Sequence, residues 1–329
     1  MKNFIIGSII VFLGFISCKN EVKIKDENAF AKAEKEEVAS TAMNIQHSLA
    51  QWSLHKPFLD GTLDPLNFPA IARDLGFSGV EYVTQLYPSV QSVGPNYRED
   101  VMKLATTLSK NAKQAEVESV LLMVDNAGEL ADPDPEKLAA AIENHKIWMD
   151  AAKVMGAHSI RANLFGELDP EQWHKISVAS LKELGAYGEE LGVNILIENH
   201  GGWSSDATKL VAVMEEVNMP TVGTLPDFGN FCIKREGGAR WGAPCIETYD
   251  TYKGIKQLMP YAKGVSAKSY EFDNDGNETT LDYQQLMQIV KDSGFEGYVG
   301  TEYEGSLDDP MEGVKLTKAL VENSIENLK

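Results

Sequence analysis

The chain has 329 residues, with 49 acidic against 30 basic side chains and a formal charge of −19. An acidic surface with no basic cluster repels phosphate backbones, which argues against nucleic acid as a partner. The segment 19–43 is nearly charge-balanced, so almost all of the excess falls on the remainder of the chain.

At the N-terminus, Lys2 precedes an apolar run from Phe4 to Ile16 that stops at Ser17-Cys18 and turns polar at Lys19. The run is shorter than the ~20 residues of a membrane span, and a small residue before a cysteine suits signal cleavage and lipidation. Phe15-Ile16-Ser17-Cys18 resembles a bacterial lipobox. The expectation is a signal peptide over 1–17, a tether over 18–43 anchored through a lipid on Cys18, and export to the periplasmic side or cell surface. The tether is rich in Lys, Glu, Asp and Ala and offers little apolar surface to offset the entropy of ordering. The part from 44 to 329 has the size of one barrel.

Along that part, short β-branched or apolar runs alternate with longer stretches of helical period. The strands expected are Ile45–Trp52, Gly79–Val83, Ser119–Val124, Ser159–Leu164, Val193–Asn199, Thr221–Leu225, Gly264–Lys268 and Tyr298–Tyr303. Helices are expected over Asn67–Leu75, Arg98–Gln114, Pro135–Met155, Pro170–Leu191, Asp206–Val217, Ile246–Met259, Tyr283–Ser293 and Pro310–Leu328. Gly76, Gly156, Gly192 and Gly294 sit where left-handed caps would turn helices back toward strands. Eight such units fit a closed (β/α)8 TIM barrel, with a doubly wound open sheet as the alternative. Cys232 and Cys245 share one predicted loop and an oxidising compartment, and stand either as a loop-closing disulfide or as two small core residues.

In a barrel, function gathers at the C-terminal strand ends. The fifth strand ends Glu198-Asn199-His200, the sixth at Asp227 and the eighth at Glu302-Tyr303-Glu304. Three carboxylates in one cleft repel one another, and burial raises the cost, so they call for a divalent cation or cationic partners. Oxygen-rich coordination with one imidazole suits Mn, Mg, Co or Zn. Other polar residues near strand ends are Trp52 and His55, Glu81, Asp125 and Asn126, and Arg161 and Asn163; of these Trp52, His55, Glu81, Arg161 and Asn163, together with Ser266, are candidates for binding a substrate, and Trp52 and Trp203 could stack on a sugar ring.

With these strand ends the chain resembles the xylose isomerase-like barrel superfamily, which includes sugar isomerases and epimerases. The resemblance implies a single divalent metal held by Glu198, Asp227 and Glu302, with Ser266 standing where the family carries a histidine and Ser269 where it carries an aspartate. His200, or a water held by Ser266, is the expected substitute ligand. It further implies that Glu198 and Glu302 move the proton beside a carbonyl, that Lys268 neutralises the developing enediolate, and that Asn230 orients the substrate.

The expected activity is a metal-dependent sugar isomerase or epimerase acting on a small neutral sugar or glycoside. A lyase or hydrolase of 3-keto-glycosides shares the first step, and a non-catalytic sugar-binding lipoprotein is the reading of another class. The superfamily's multi-zinc endonucleases need many histidines, whereas His145 and His174 lie in predicted helices. Membrane contact is expected only through the lipid, and the oligomeric state stays open.

Overall fold

Aspartate starts most of the long helices. Asp134, Asp169, Asp206, Asp250, Asp282 and Asp309 each stand at an N-cap and accept backbone N–H groups of the first turn, which satisfies donors the helix itself leaves free. At the other end, Gly156 (φ 75°) and Gly192 (φ 70°) turn the chain out in the left-handed region. Glu116 and Asn218 do the same work at two further helix ends, where sequence alone shows no glycine.

The computed structural model describes residues 43–328. The expected signal peptide, Cys18 and the tether as far as Ala42 lie outside the described residues. Between the caps run eight parallel strands: β1 (Ile45–Ala50), β2 (Gly79–Val83), β3 (Glu118–Met123), β4 (Ser159–Ala162), β5 (Asn194–Glu198), β6 (Val222–Leu225), β9 (Val265–Ser269) and β10 (Gly297–Tyr303). A hairpin of β7 (Cys232–Arg235) and β8 (Cys245–Thr248) is inserted between β6 and β9. The sheet order is β6-β5-β4-β3-β2-β1-β10-β9, and the ring is completed by parallel bridges Thr224 to Ala262 and Asp227 to Ser266. The expected (β/α)8 barrel is the fold. Ile160 on the outer face of the sheet and helix residues such as Trp148, Leu181 and Leu286 are buried between sheet and helices, while Leu121 and Leu196, in register with Ser159 and Arg161, fill the barrel interior. Among the described residues no helix is long and apolar enough to cross a membrane.

The expectations fail locally in two main places, and the fourth strand also stops at Ala162 and not at Leu164. The first strand stops at Ala50, and Gln51–Leu54 form a 3-10 turn instead of carrying the strand to Trp52. The helix expected from Ile246 begins at Thr251, behind the Asp250 cap, because Cys245–Thr248 pair with β7. The cause of the second is covalent, since Cys232 and Cys245 form a disulfide across 13 residues of sequence. Closing a loop of that length stabilises a fold by about 3 kcal/mol in the chain-entropy picture. Reduction, or replacement of both cysteines by serine, is therefore expected to lower the urea midpoint, and an unchanged midpoint would show that the loop is held without the bond.

Candidate active site

The bridge that closes the barrel also builds its charged centre. β6 ends just before Asp227, β5 ends on Glu198, and Glu302 is the penultimate residue of β10, so three carboxylates converge with ligand atoms within 4.8 Å of one another. All three are buried. Ser266 on β9 lies between two of them, its Oγ 2.6 Å from Asp227 Oδ2 and 2.9 Å from Glu302 Oε2. A hydroxyl has one proton, so it donates to one carboxylate at a time; the other contact needs a protonated acid or a cation nearby.

Two cations flank the acids. Lys268 Nζ lies 3.1 Å from Glu302, 3.5 Å from Glu304 and 3.6 Å from Asp227. Arg161 binds Asp125 at 2.5 Å and brings Nε to 2.9 Å from Glu198 Oε2. That last approach is an ion pair without hydrogen-bond alignment, since both atoms are buried with no hydrogen-bond partner. The other oxygen of Glu198 accepts from Asn230 Nδ2 at 2.9 Å. Burial pushes Glu198 from 4.5 up to about 7, against the pull of Arg161 and with the repulsion of Glu302. It pushes Asp227 from 3.8 up to about 8, with Lys268 opposing. Burial also acts to raise Asp125, but Arg161, His200 and Asn163 outweigh it and hold that acid low.

These residues fit a divalent ion. The donors are carboxylate oxygens, Glu198 Oε2 lacks a hydrogen bond, and Glu81, Asp125, Glu198, Asp227, Glu302 and Glu304 outnumber Arg161 and Lys268. A consequence is measurable in the metal-free protein. Glu198 and Asp227 titrate higher folded than unfolded, so the stability they allow is complete below the ordinary carboxylate range and is lost as pH rises through about 7 to 8. Thermal melts of the chelated protein should fall over that window, and a divalent ion should flatten the slope; a profile flat without metal would contradict the repulsion.

A cavity of about 600 Å³ opens over this centre, lined by Glu302, Glu304, Asp125, Arg161, Asn163 and Asn230, with Trp52, Phe165, His200, Trp241 and Tyr270 as its aromatic part. Trp52, Arg161, Asn163 and Asn230 therefore stand where the sequence suggests. His200 does not complete the ligand set. β5 ends at Glu198, so strand alternation stops before residue 200, and the imidazole Nδ1 instead meets Asn163 Oδ1 at 2.8 Å. Asn163 Nδ2 donates to Asp125, which fixes the amide, so His200 donates from Nδ1. Burial holds the ring neutral, with a pKa near 3, and Nε2 keeps a lone pair.

Other expectations are corrected by depth. Glu81 does not line the cavity; Val83, two residues on along β2, does, and Glu81 lies one layer below, accepting from Ser48 at 2.6 Å. Burial raises it to about 8. Gly300 leaves room for its carboxylate, because a Cβ there would come within 2.4 Å of Glu81 Oε1. His55 begins a helix and stacks on Trp52 at 4.3 Å, behind the cavity wall. Ser266 and Lys268 are also beneath the cavity surface, so Lys268 serves as an ion-pair partner of the acids and does not face a substrate enediolate.

Sequence reasoning overlooks Phe165, Arg240 and Trp241. The Trp241 ring lies 4.7 Å from His200 and edge-on to Phe165 at 6.0 Å, while the Arg240 guanidinium covers Phe165 at 4.3 Å. Residues 240 and 241 belong to the loop closed by the disulfide, where no periodicity announces them. Glu304 was legible by its spacing of two from Glu302.

The sequence pattern of the xylose isomerase-like TIM barrel family matches residues 69–322. The chain belongs to that family. The C-glycoside deglycosidase alpha subunit of Arthrobacter globiformis is 32% identical over 75 residues, 21% of each chain. The chain thus spans about a fifth of the length of that curated relative where the two match. A 3-keto-D-glucoside 4-epimerase from E. coli shares the fold with a TM-score of 0.62 at 13% identity, covering 85% of this chain and 99% of that one. A family member from Mycobacterium smegmatis, solved in complex with magnesium, has a TM-score of 0.57 at 16% identity and covers 80% and 89%.

Proposed function

We propose that the protein is an exported, lipid-anchored, divalent-metal-dependent enzyme that removes the proton beside a ketone of a sugar. The observation that carries this reading is the buried triad Glu198, Asp227 and Glu302 directly under a cavity of about 600 Å³, a size that suits a sugar or small glycoside. The residue pattern at Ser17-Cys18 supports export and anchoring.

Glu198, Asp227 and Glu302 would hold the ion, which when bound supplies Lewis acidity toward a carbonyl oxygen. Glu302 is the member of the triad that reaches the cavity surface, and it takes the carbon-bound proton. Lys268 and Ser266 hold its two oxygens, so its carboxylate is positioned before substrate arrives. Glu198 lies beneath the cavity surface, held by Arg161 and Asn230 as a ligand for the ion, so the proton that returns to the sugar comes back from Glu302. The Asn230 amide and the neutral His200 Nε2 are suited to sugar hydroxyls, and Trp52 offers an aromatic face.

After the first step two outcomes diverge. In an isomerase or epimerase the proton returns to the sugar. In a lyase the C–H electron pair becomes a C=C bond, the adjacent bond to the aglycone breaks, and the aglycone leaves with the electron pair of that broken bond and takes up a proton. Local similarity to a deglycosidase subunit and the breadth of the cavity favour cleavage. Incubation with 3-keto-glucose and its methyl glycoside in D2O is expected to place deuterium beside the ketone, with stoichiometric divalent metal in the purified protein. Sugar binding without exchange or metal would assign the barrel to a non-catalytic sugar-binding role.

A further inference from the structure

A second cavity, of about 470 Å³, lies beside the first and shares Phe165, Gly201, Cys232, Arg235 and Arg240 with it. The two differ in chemistry. The first presents Asp125, Arg161, Asn163, His200, Asn230 and Glu302. The second is mainly apolar, walled by Leu164, Phe165, Leu168, Trp173, Trp203 and Ile233, with the charged Glu167, Lys234 and Glu247 among its other lining residues. Its two indoles have no polar edge to offer, because Trp173 Nε1 donates to the Leu164 carbonyl at 2.7 Å and Trp203 Nε1 to the Leu168 carbonyl at 2.9 Å. Leu168 is 83% exposed, an apolar side chain left in solvent at the rim. The apolar wall of the cavity gains by covering aromatic or aliphatic groups.

We infer that this second cavity seats an apolar, planar aglycone whose sugar occupies the first, so that the substrate is a glycoside and not a free sugar. The inference rests on the reading of the first cavity as a keto-sugar site. The shared wall supports it: Phe165 and Arg240 stand at the junction, where the bond between sugar and aglycone would lie. One wall is the β7–β8 hairpin, tied by Cys232 and Cys245 and contributing Cys232 and Arg235 to both cavities, so the subsite is a property of the insertion and not of the barrel alone.

The test is calorimetric titration of the full chain with divalent metal, in a non-glycosidic detergent, using unreactive 4-nitrophenyl and methyl glucosides of both anomers. The aryl compound is expected to bind about tenfold tighter than the methyl compound. Leu168→Glu, at an exposed position, and Ile233→Ser should each remove that preference. Equal affinities, no aryl binding, or a preference that both variants keep would overturn the inference. A concentration-dependent dimer abolished by Leu168→Glu, with no aryl preference, would assign the surface to a second copy of the chain instead. Deuterium exchange on 3-keto-glucose, followed in parallel, separates the two readings: aryl preference without exchange supports the aglycone cavity and sinks the catalytic proposal, while exchange without preference does the reverse.

Discussion

Replacing Glu302 by glutamine is expected to slow proton exchange beside the ketone by about 10²–10⁴-fold. The amide keeps the shape of the carboxylate but has no oxygen basic enough to take a carbon-bound proton. Glu302 is singled out because it alone of the triad lines the cavity, while Ser266 and Lys268 hold its oxygens from behind. The loss should fall on kcat, with the dissociation constant for an unreactive glycoside changing far less, because the variant removes chemistry and leaves the cavity walls in place. Glu81→Gln is the informative comparison. Its carboxylate lies one layer deeper and is held by Ser48, so its effect on exchange should be much the smaller of the two. Equal losses in the two variants would mean that the acids act as one electrostatic unit and that Glu302 is not the base.

Replacing Lys268 by methionine is expected to cost about 3–5 kcal/mol of stability, the range for removing one partner from a buried ion pair. The ammonium is 2% exposed and lies within 3.6 Å of Asp227 and within 3.1 Å of Glu302, so water can do little to compensate those acids when it is gone. The effect should depend on pH with a definite sign. Asp227 is already raised to about 8 by burial against the pull of Lys268, and without that pull it rises further. The variant should therefore be most destabilised in alkali, where the acids must ionise, and recover toward acid, where they are neutral. Added divalent metal should restore part of the loss by supplying the missing positive charge. Urea unfolding across pH, with and without metal, measures all of this; a variant as stable as the parent at alkaline pH would show that Lys268 is not the counter-ion the geometry makes it.

The barrel was legible in the chain because its signals are local. Hydrophobic period, aspartate caps and glycine exits are decided by residues within a few positions of one another, and they mark strands and helices whatever lies elsewhere in the fold. The acids Glu198, Asp227 and Glu302 were legible for a related reason: parallel barrel strands bring all their C-terminal ends to one mouth, so a carboxylate at a strand end has its neighbours specified by topology. Depth and direction were not available in this way. Whether Glu81 reaches the cavity depends on its layer, whether His200 faces the acids depends on where β5 lets go of the sheet, and whether Lys268 meets substrate or carboxylate depends on the register of β9 against β10. The hairpin was the least legible part. Its disulfide was one of two readings of Cys232 and Cys245, its strand pairing had no signal, and the placement of Arg240 and Trp241 over Phe165 and His200 joins residues from separate loops. Such contacts leave no period in the sequence. By itself, then, the sequence determined the barrel and the acids at its mouth; tertiary structure decided which groups face the cavity and what forms its second wall, because those follow from packing between distant segments.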